Sequence, residues 1–190
     1  MAKFTRKAIM QAFMHILKTT PLDKVTVKDI CESCELNRNT FYYYFKDIYD
    51  VLETIFDEEA KLVLEEVKDG GTFYEAYARC SALLINNREA VMHIYASENG
   101  KVLGRYLEVV VAELVRRFVI EKAEGYELDE TEINFITYFY ANAIVGSTIR
   151  WIEKGMKRYN RDMIKRISDA FEMTIYDMIE CSRDSASCSD

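Results

Sequence analysis

Proline and glycine are scarce in this sequence. Its 190 residues include one proline, Pro21, and seven glycines. Both residue types interrupt helices and mark turns, so their scarcity disfavours a fold built from many short strands. Apolar residues recur at spacings of three and four along most of the chain, which is the pattern of amphipathic helices. The sequence therefore predicts an all-α fold.

Long apolar runs are also missing. No stretch approaches the roughly 20 apolar residues that a transmembrane helix needs. The first residues, MAKFTRKAIMQAF, lack the apolar core of a signal peptide. Hydrophobic residues make up 49% of the chain and charged residues 30%, which is a globular composition. We therefore expect a cytoplasmic protein with no membrane partner.

Cysteine and histidine are few and scattered. Five cysteines at irregular spacings are typical of reduced thiols. Cys31 and Cys34 have the spacing of half a zinc site or of a redox pair, but no second Cys or His pair follows at a useful distance. Core packing is the favoured interpretation of these two side chains. His15 and His93 are isolated, and no nucleophile can be paired with a base. The sequence predicts a protein that is not an enzyme and binds no metal or cofactor.

Residues 26–46, TVKDICESCELNRNTFYYYFK, have the pattern of two short helices joined by a tight turn. Thr26 followed three residues later by Asp29 predicts a reciprocal cap at the start of the first helix. Asn37 is a good cap for the second helix, in which Phe41 and the phenylalanine four residues later face inwards. This arrangement is typical of a helix-turn-helix.

The remaining side chains of the second helix face outwards. Arginine and asparagine match the hydrogen-bonding edges of guanine and adenine in the major groove. A helix-turn-helix places its second helix in that groove with its N-terminal residues leading. The DNA-binding candidates on this helix are Asn37, Arg38, Asn39, Thr40, Tyr42 and Tyr43.

Charge is unevenly distributed along the chain. The net charge is −7, yet residues 1–46 hold eight Lys or Arg and four Asp or Glu, a net of +4. The rest of the chain has a net charge of −11. A locally basic surface attracts phosphate, and an acidic remainder disfavours binding in the wrong orientation. The charge distribution therefore supports an N-terminal DNA-binding module.

The segment TVKDICESCELNRNTFYYYFKDIYDVL resembles the DNA-binding signature of the TetR family of bacterial transcriptional regulators. Five residues of the second helix match that pattern in register: Thr40, Phe41, Tyr42, Tyr44 and Phe45. The resemblance implies contacts with the DNA backbone from Thr26, Lys28, Tyr44 and Lys46. Three departures from the family pattern stand out, and one of them, Asn37 in place of a common serine, is conservative for a cap. Glu35 stands where the family usually has glycine, and Ile48 replaces a frequent lysine that contacts a phosphate.

The resemblance also implies a division into domains. We expect a three-helix DNA-binding domain at residues 1–47, a larger helical domain for effector binding and dimerisation at residues 48–181, and a disordered tail at residues 182–190. A short segment, ITYFYANAIVGSTIRWIEKGM, resembles the C-terminal part of one TetR subgroup that includes activators of dihydroxyacetone kinase operons.

Aromatic and small residues of the larger domain supply its candidate sites. Tyrosine offers an apolar body with a polar tip, which suits a small-molecule cavity. The effector-pocket candidates are Tyr77, Tyr95, Tyr106, Phe135, Tyr138, Phe139 and Trp151. Small residues allow a partner helix to approach closely, and the last predicted helix has a long apolar stripe. The dimer-interface candidates are Ala143, Gly146, Ile164, Ile167, Phe171 and Ile175. Core packing within one subunit remains the alternative for both sets.

Together these features predict a sequence-specific transcriptional regulator. The expectation is a ligand-responsive repressor that binds a palindromic double-stranded DNA operator as a homodimer, with an unknown small-molecule effector. The alternatives are a helical interaction protein that acts through a protein partner, or an enzyme built in the aromatic half, for which no catalytic set is visible.

Overall fold

The computed structural model describes residues 2–66, 71–157 and 161–187. Within these ranges the chain is helical and contains no strand, which confirms the all-α prediction. The helices are α1 Ala2–Leu17, α2 Val27–Ser33, α3 Arg38–Tyr44, α4 Ile48–Glu66, α5 Phe73–Asn86, α6 Arg88–Tyr95, α7 Lys101–Lys122, α8 Glu130–Glu153 and α9 Arg161–Ser187. A short 3-10 turn, Leu22–Lys24, precedes α2. No helix in the described ranges is long and apolar enough to cross a membrane.

The first compact unit comprises Met1–Leu62 and Asn86–Tyr106. Helix α1 packs against both α2 and α6, because its apolar stripe, which includes the fully buried Phe13, faces them. The His93 ring nitrogen Nδ1 lies 2.7 Å from the Leu17 carbonyl oxygen, which ties α6 to the C-terminal end of α1. The predicted boundary at residue 47 therefore does not coincide with the compact units, since α6 joins the N-terminal helices through contacts that are remote in sequence.

The second compact unit comprises Val63–Ile85 and Leu107–Asp190. Its core is aromatic. The ring centroid of Phe171 lies 4.4 Å from that of Phe73 and 4.9 Å from that of Tyr140. Helices α8 and α9 pack against each other, and the Tyr140 hydroxyl lies 2.7 Å from that of Thr174.

The end of the chain differs from the prediction. Helix α9 continues to Ser187, so residues 182–187 of the predicted disordered tail are helical, and residues 188–190 lie outside the described ranges. Extending an existing helix costs much less free energy than starting one, and Ser182 is still buried. The sequence also predicts one long helix over residues 47–69, ended by Gly70 and Gly71; residues 67–70 lie outside the described ranges.

Candidate nucleic-acid interface

Helix α2 begins with the predicted reciprocal cap. The backbone N–H of Asp29 donates to the Thr26 hydroxyl at 3.2 Å, and the backbone N–H of Thr26 donates to the Asp29 carboxylate at 2.9 Å. The Thr26 hydroxyl also donates to that carboxylate at 2.6 Å. These bonds hold the pKa of the Asp29 carboxyl below its usual value. Thr26 is therefore engaged in starting the helix, while its exposed position leaves it on the surface.

The turn between α2 and α3 contains a residue in the left-handed backbone conformation. Glu35 has φ = 53°, as expected from its place in the family pattern, where glycine is usual. The next N–H, from Leu36, donates to the Cys31 carbonyl at 2.9 Å. The Cys34 thiol donates to the Ile30 carbonyl at 3.0 Å. Burial raises the pKa of the thiols of Cys31 and Cys34. Both side chains therefore serve packing and turn formation.

Helix α3 is anchored by its inner face. Asn37 caps it by accepting a hydrogen bond from the Thr40 N–H at 2.8 Å. Phe41 and Phe45 are buried, with ring centroids 6.0 Å apart, because a spacing of four places both side chains on one face. The buried phenylalanines decide which side of α3 faces solvent.

The outer face of α3 presents the predicted DNA-reading residues. Arg38 and Asn39 are exposed in the first turn, and Tyr42 and Tyr43 are 57% and 80% exposed. Thr40 and Tyr44 are half-buried, and the Tyr44 ring packs edge-on against Tyr43 with centroids 4.9 Å apart. The structure thus places two polar side chains and two tyrosines on one accessible helix face.

Two lysines of the helix-turn-helix are also exposed, Lys28 on α2 and Lys46 just after α3. Lys28 is exposed and its Nζ lies 3.7 Å from the Glu32 carboxylate, a loose surface pair. Lys46 is exposed, and its backbone N–H donates to the Asp50 carboxylate at 2.7 Å. Neither lysine is buried, so both ammonium groups are accessible to a phosphate.

Asp47 caps α4, which was not among the predictions from the sequence. Asp47 accepts hydrogen bonds from the backbone N–H groups of Tyr49 and Asp50 at 2.9 Å and 3.0 Å. The signal was present in the sequence, because Asp47 is followed three residues later by another carboxylate. These two carboxylates occupy the start of α4, where Ile48 is half-buried and brings no positive charge.

One of the basic residues at the start of α1 makes its contacts within the protein. Arg6 forms an ion pair with Glu58 of α4, and its guanidinium lies 5.7 Å from the centroid of the Phe45 ring. Arg6 therefore connects α1 to α4 and to the end of α3. Its charge is partly neutralised before any phosphate approaches.

The structure separates the seven effector-pocket candidates. Tyr95 and Tyr106 belong to the first unit, where Tyr106 stacks on Phe56 with centroids 4.3 Å apart. In the second unit, the buried Tyr77 hydroxyl lies 3.2 Å from the Thr148 hydroxyl, and Trp151 is half-buried. The other three, Phe135, Tyr138 and Phe139, are each more than half exposed. Their exposure on α8 favours a surface contact over a cavity lining, and their role in effector binding stays a prediction.

The dimer-interface candidates also include both buried and exposed side chains. Ile164, Phe171 and Ile175 are buried in the core of the second unit, so the α9 stripe is covered by helices of the same chain. Burial favours the alternative of core packing for these three residues, and their role in a dimer interface stays a prediction. Ile167 is half-buried. Ala143 and Gly146 are exposed on α8, and a Cβ added at Gly146 would meet no atom within 4 Å.

Metal-ligating residues do not gather in the described parts of the chain. No group of three or more His, Cys, Asp or Glu side chains there has an arrangement that holds a metal ion. The features that the structure does show are a capped helix-turn-helix, an exposed outer face on α3 and two exposed lysines.

Comparisons with known proteins agree with this geometry. Residues 9–55 match the family model described as bacterial regulatory proteins, tetR family, and residues 71–173 match one described as transcriptional regulator C-terminal region. The HTH-type dhaKLM operon transcriptional activator DhaS of Lactococcus lactis is 23% identical over 153 residues, which cover 80% of this chain and 81% of that protein.

Two solved structures have the same fold. A structure described as the dihydroxyacetone kinase operon activator DhaS superimposes with a TM-score of 0.75 at 20% identity, covering 90% of this chain and 96% of the other. A TetR-family regulator structure from Syntrophomonas wolfei gives a TM-score of 0.66 at 16% identity, covering 93% and 97% of the two chains. The matched family models span both the DNA-binding helices and most of the larger helical region. The chain belongs to the TetR family of transcriptional regulators, which are not enzymes.

Proposed function

We propose that this regulator acts as a homodimer in which two copies of α3 read the two halves of a palindromic operator. The main support for this proposal is the outer face of α3. Four of its side chains are exposed while the phenylalanines on the opposite face are buried: Arg38, Asn39, Tyr42 and Tyr43. Arginine and asparagine distinguish base edges in the major groove. Lys28 and Lys46 contact phosphates beside that groove and fix the orientation of the protein.

An exposed apolar surface on α8 supports the dimer. We define the α8 face as the outward side chains Phe135, Tyr138, Phe139, Ala143 and Gly146. Met173 of α9, in the same unit, is also exposed, at 78%. Contiguous apolar patches on a folded protein mark interaction surfaces. A second copy is the proposed partner, because paired readers must meet half-sites about 34–36 Å apart on one side of the DNA.

An effector acts through the helices that run through both compact units. Helices α4 and α7 each contribute residues to the first and to the second unit. A small molecule that binds one arrangement of these helices more tightly shifts the population towards it. Of the aromatic candidates, Tyr77 has the most suitable chemistry, since its hydroxyl is buried beside that of Thr148 and burial raises its pKa.

The direction of regulation stays a prediction. From the sequence we expect a repressor, whereas the related Lactococcus lactis protein is named a transcriptional activator. Transcription in vitro from a promoter that carries the selected operator distinguishes the two. Fewer transcripts with added protein identify a repressor, and more transcripts identify an activator.

Selection from a random DNA library with purified full-length protein tests the central proposal. We expect a palindrome with a fixed half-site spacing to be enriched at near-physiological salt. Failure to enrich any sequence, with weak and salt-sensitive binding throughout, would contradict the operator proposal. The helical interaction protein that acts through a protein partner would then be the better interpretation.

A further inference from the structure

The two ends of α8 carry opposite charges. Residues 124–132, which lead into α8 and begin it, hold five Asp or Glu and no Lys or Arg. Residues 150–166, which run from the end of α8 into α9, hold seven Lys or Arg and two Asp or Glu. Residues 133–149 between them contain no charged residue. Charge in this part of the chain is therefore sorted along the helix.

Helix α9 returns alongside α8 in the opposite direction. Residues 154–160 join the two helices, and this link spans less than about 30 Å when fully extended. The 24 residues of α8 extend roughly 36 Å, so the two helices can pack along each other, as they do, only when antiparallel. The Tyr140 and Thr174 hydroxyls, 2.7 Å apart, set their register. The first half of α8 is thereby level with the part of α9 that holds Asp177 and Glu180.

Like charges consequently gather at each end of this α8–α9 hairpin. We define each end by three exposed side chains. The acidic end comprises Glu127, Asp177 and Glu180, and the basic end comprises Arg150, Lys154 and Arg166. None of these side chains forms an ion pair with another residue in the described ranges. Both ends are therefore uncompensated within one chain, and like charges that lie close together repel each other.

The helix dipole accounts for the order of charge in α8 but not for that in α9. Carboxylates stabilise the N-terminal end of a helix and cations its C-terminal end, which is the order along α8. Along α9 the order is reversed, because Arg166 lies in its first half and Asp177 and Glu180 lie in its second half. Contacts within the hairpin therefore give no reason for the sorted charge, whereas a partner with the opposite order would.

We infer that a second copy docks on this hairpin in the reversed direction, so that the basic end of each protomer contacts the acidic end of the other. The inference rests on the homodimer of the proposed function and adds its orientation. In a two-fold interface each contact occurs twice, so both ends are neutralised together. The uncharged middle of α8 then crosses its own copy, where the open space beside Gly146 allows a close approach. Docking in the same direction would instead place like charges together at both ends.

Full-length variants with one reversed end test this orientation by sedimentation equilibrium. The first variant combines Arg150→Glu with Arg166→Glu, and the second combines Asp177→Lys with Glu180→Lys. Each variant alone should raise the dimer dissociation constant about a hundredfold, because charge pairs at both ends of the dimer become repulsive. A mixture of the two variants should form a heterodimer about as tightly as the unaltered protein dimerises, since opposite charges meet again at both ends.

Two further proteins serve as controls. Lys101→Glu combined with Arg105→Glu reverses two exposed cations of α7, outside the hairpin, and should leave the dimer dissociation constant unchanged. A chain that carries all four hairpin reversals should also dimerise like the unaltered protein, because its two ends have exchanged sign. Circular dichroism checks that every variant keeps its helical content.

Two results would overturn the orientation. One is that each single-end variant dimerises as tightly as the unaltered protein, which is the outcome of docking in the same direction or on another surface. The other is that neither the mixture nor the chain with all four reversals regains the dimer. An unaltered protein that stays monomeric would contradict the homodimer of the proposed function itself. A dimer that Phe139→Glu dissociates and the end reversals do not would contradict the orientation alone.

Discussion

The Asn37 side-chain oxygen accepts a hydrogen bond from the Thr40 N–H at 2.8 Å and lies 3.1 Å from the Thr40 hydroxyl. The amide that the sequence analysis assigned to DNA is therefore already used to start α3. We expect Asn37→Ala to lower the free energy of unfolding by about 0.5–2 kcal/mol and to weaken binding to all DNA sequences alike. Urea unfolding measures the first effect. Asn37→Asp, which keeps the cap, serves as the control for stability.

Arg38 and Lys46 are predicted to differ in what they recognise. Arg38→Ala should cost about 1–3 kcal/mol on the selected operator and relax the preference at one base pair, since base contacts carry the specificity. Lys46→Ala should weaken binding to every sequence. It should also reduce the slope of the logarithm of the DNA-binding constant against the logarithm of the salt concentration by about one. Fluorescence anisotropy on operator and random duplexes distinguishes them. Equal losses on both duplexes for Arg38→Ala would remove its assignment as a base reader.

The α8 face is predicted to hold the dimer together. Phe139 is 53% exposed, and Phe139→Glu would place a charge in the proposed apolar interface, where it has no partner. We expect sedimentation equilibrium to show a monomer, with helical content unchanged. Val109→Glu is the matched control, because Val109 is an exposed apolar residue of α7 in the same unit. Dissociation by both variants, or by neither, would contradict the proposed interface.

Phe171 is predicted to act in the core instead of the dimer interface. Its ring is buried against Phe73, so Phe171→Ala should lower the free energy of unfolding by about 3–5 kcal/mol. The milder Phe171→Leu should fold and keep the dimer dissociation constant of the unaltered protein. A Phe171→Leu variant that is stable yet monomeric would restore this residue to the interface.

We predict that ionisation of the Cys80 thiol lowers the stability of the folded protein at alkaline pH. Burial raises the pKa of its thiol from 9.0 to about 11. Between these values the unfolded chain releases a proton that the folded protein retains, so stability is complete below pH 9 and falls by up to about 1.4 kcal/mol per pH unit above it. Urea unfolding from pH 8 to 11 should show a flatter decline for Cys80→Ala. The exposed Cys181→Ala is the control, and parallel curves for all three proteins would contradict the prediction.

The caps and the reading helix were predictable because their interactions are local. Thr26 bonds to Asp29 and Asn37 to Thr40, each three residues apart, and helical geometry brings such neighbours together whatever the rest of the chain does. The spacing of Phe41 and Phe45 likewise determines which side of α3 is buried. The sequence by itself therefore determined the all-α class, the helix-turn-helix and the side of α3 that faces solvent.

Only the tertiary structure decided which apolar stripes are covered by the same chain. Phe171 and Phe139 are both apolar residues on long helices, yet the first is buried against Phe73 and the second faces solvent. Periodicity shows that a helix has an apolar side, but contacts between helices far apart in sequence decide what covers it. The same reason explains why α6 packs with α1.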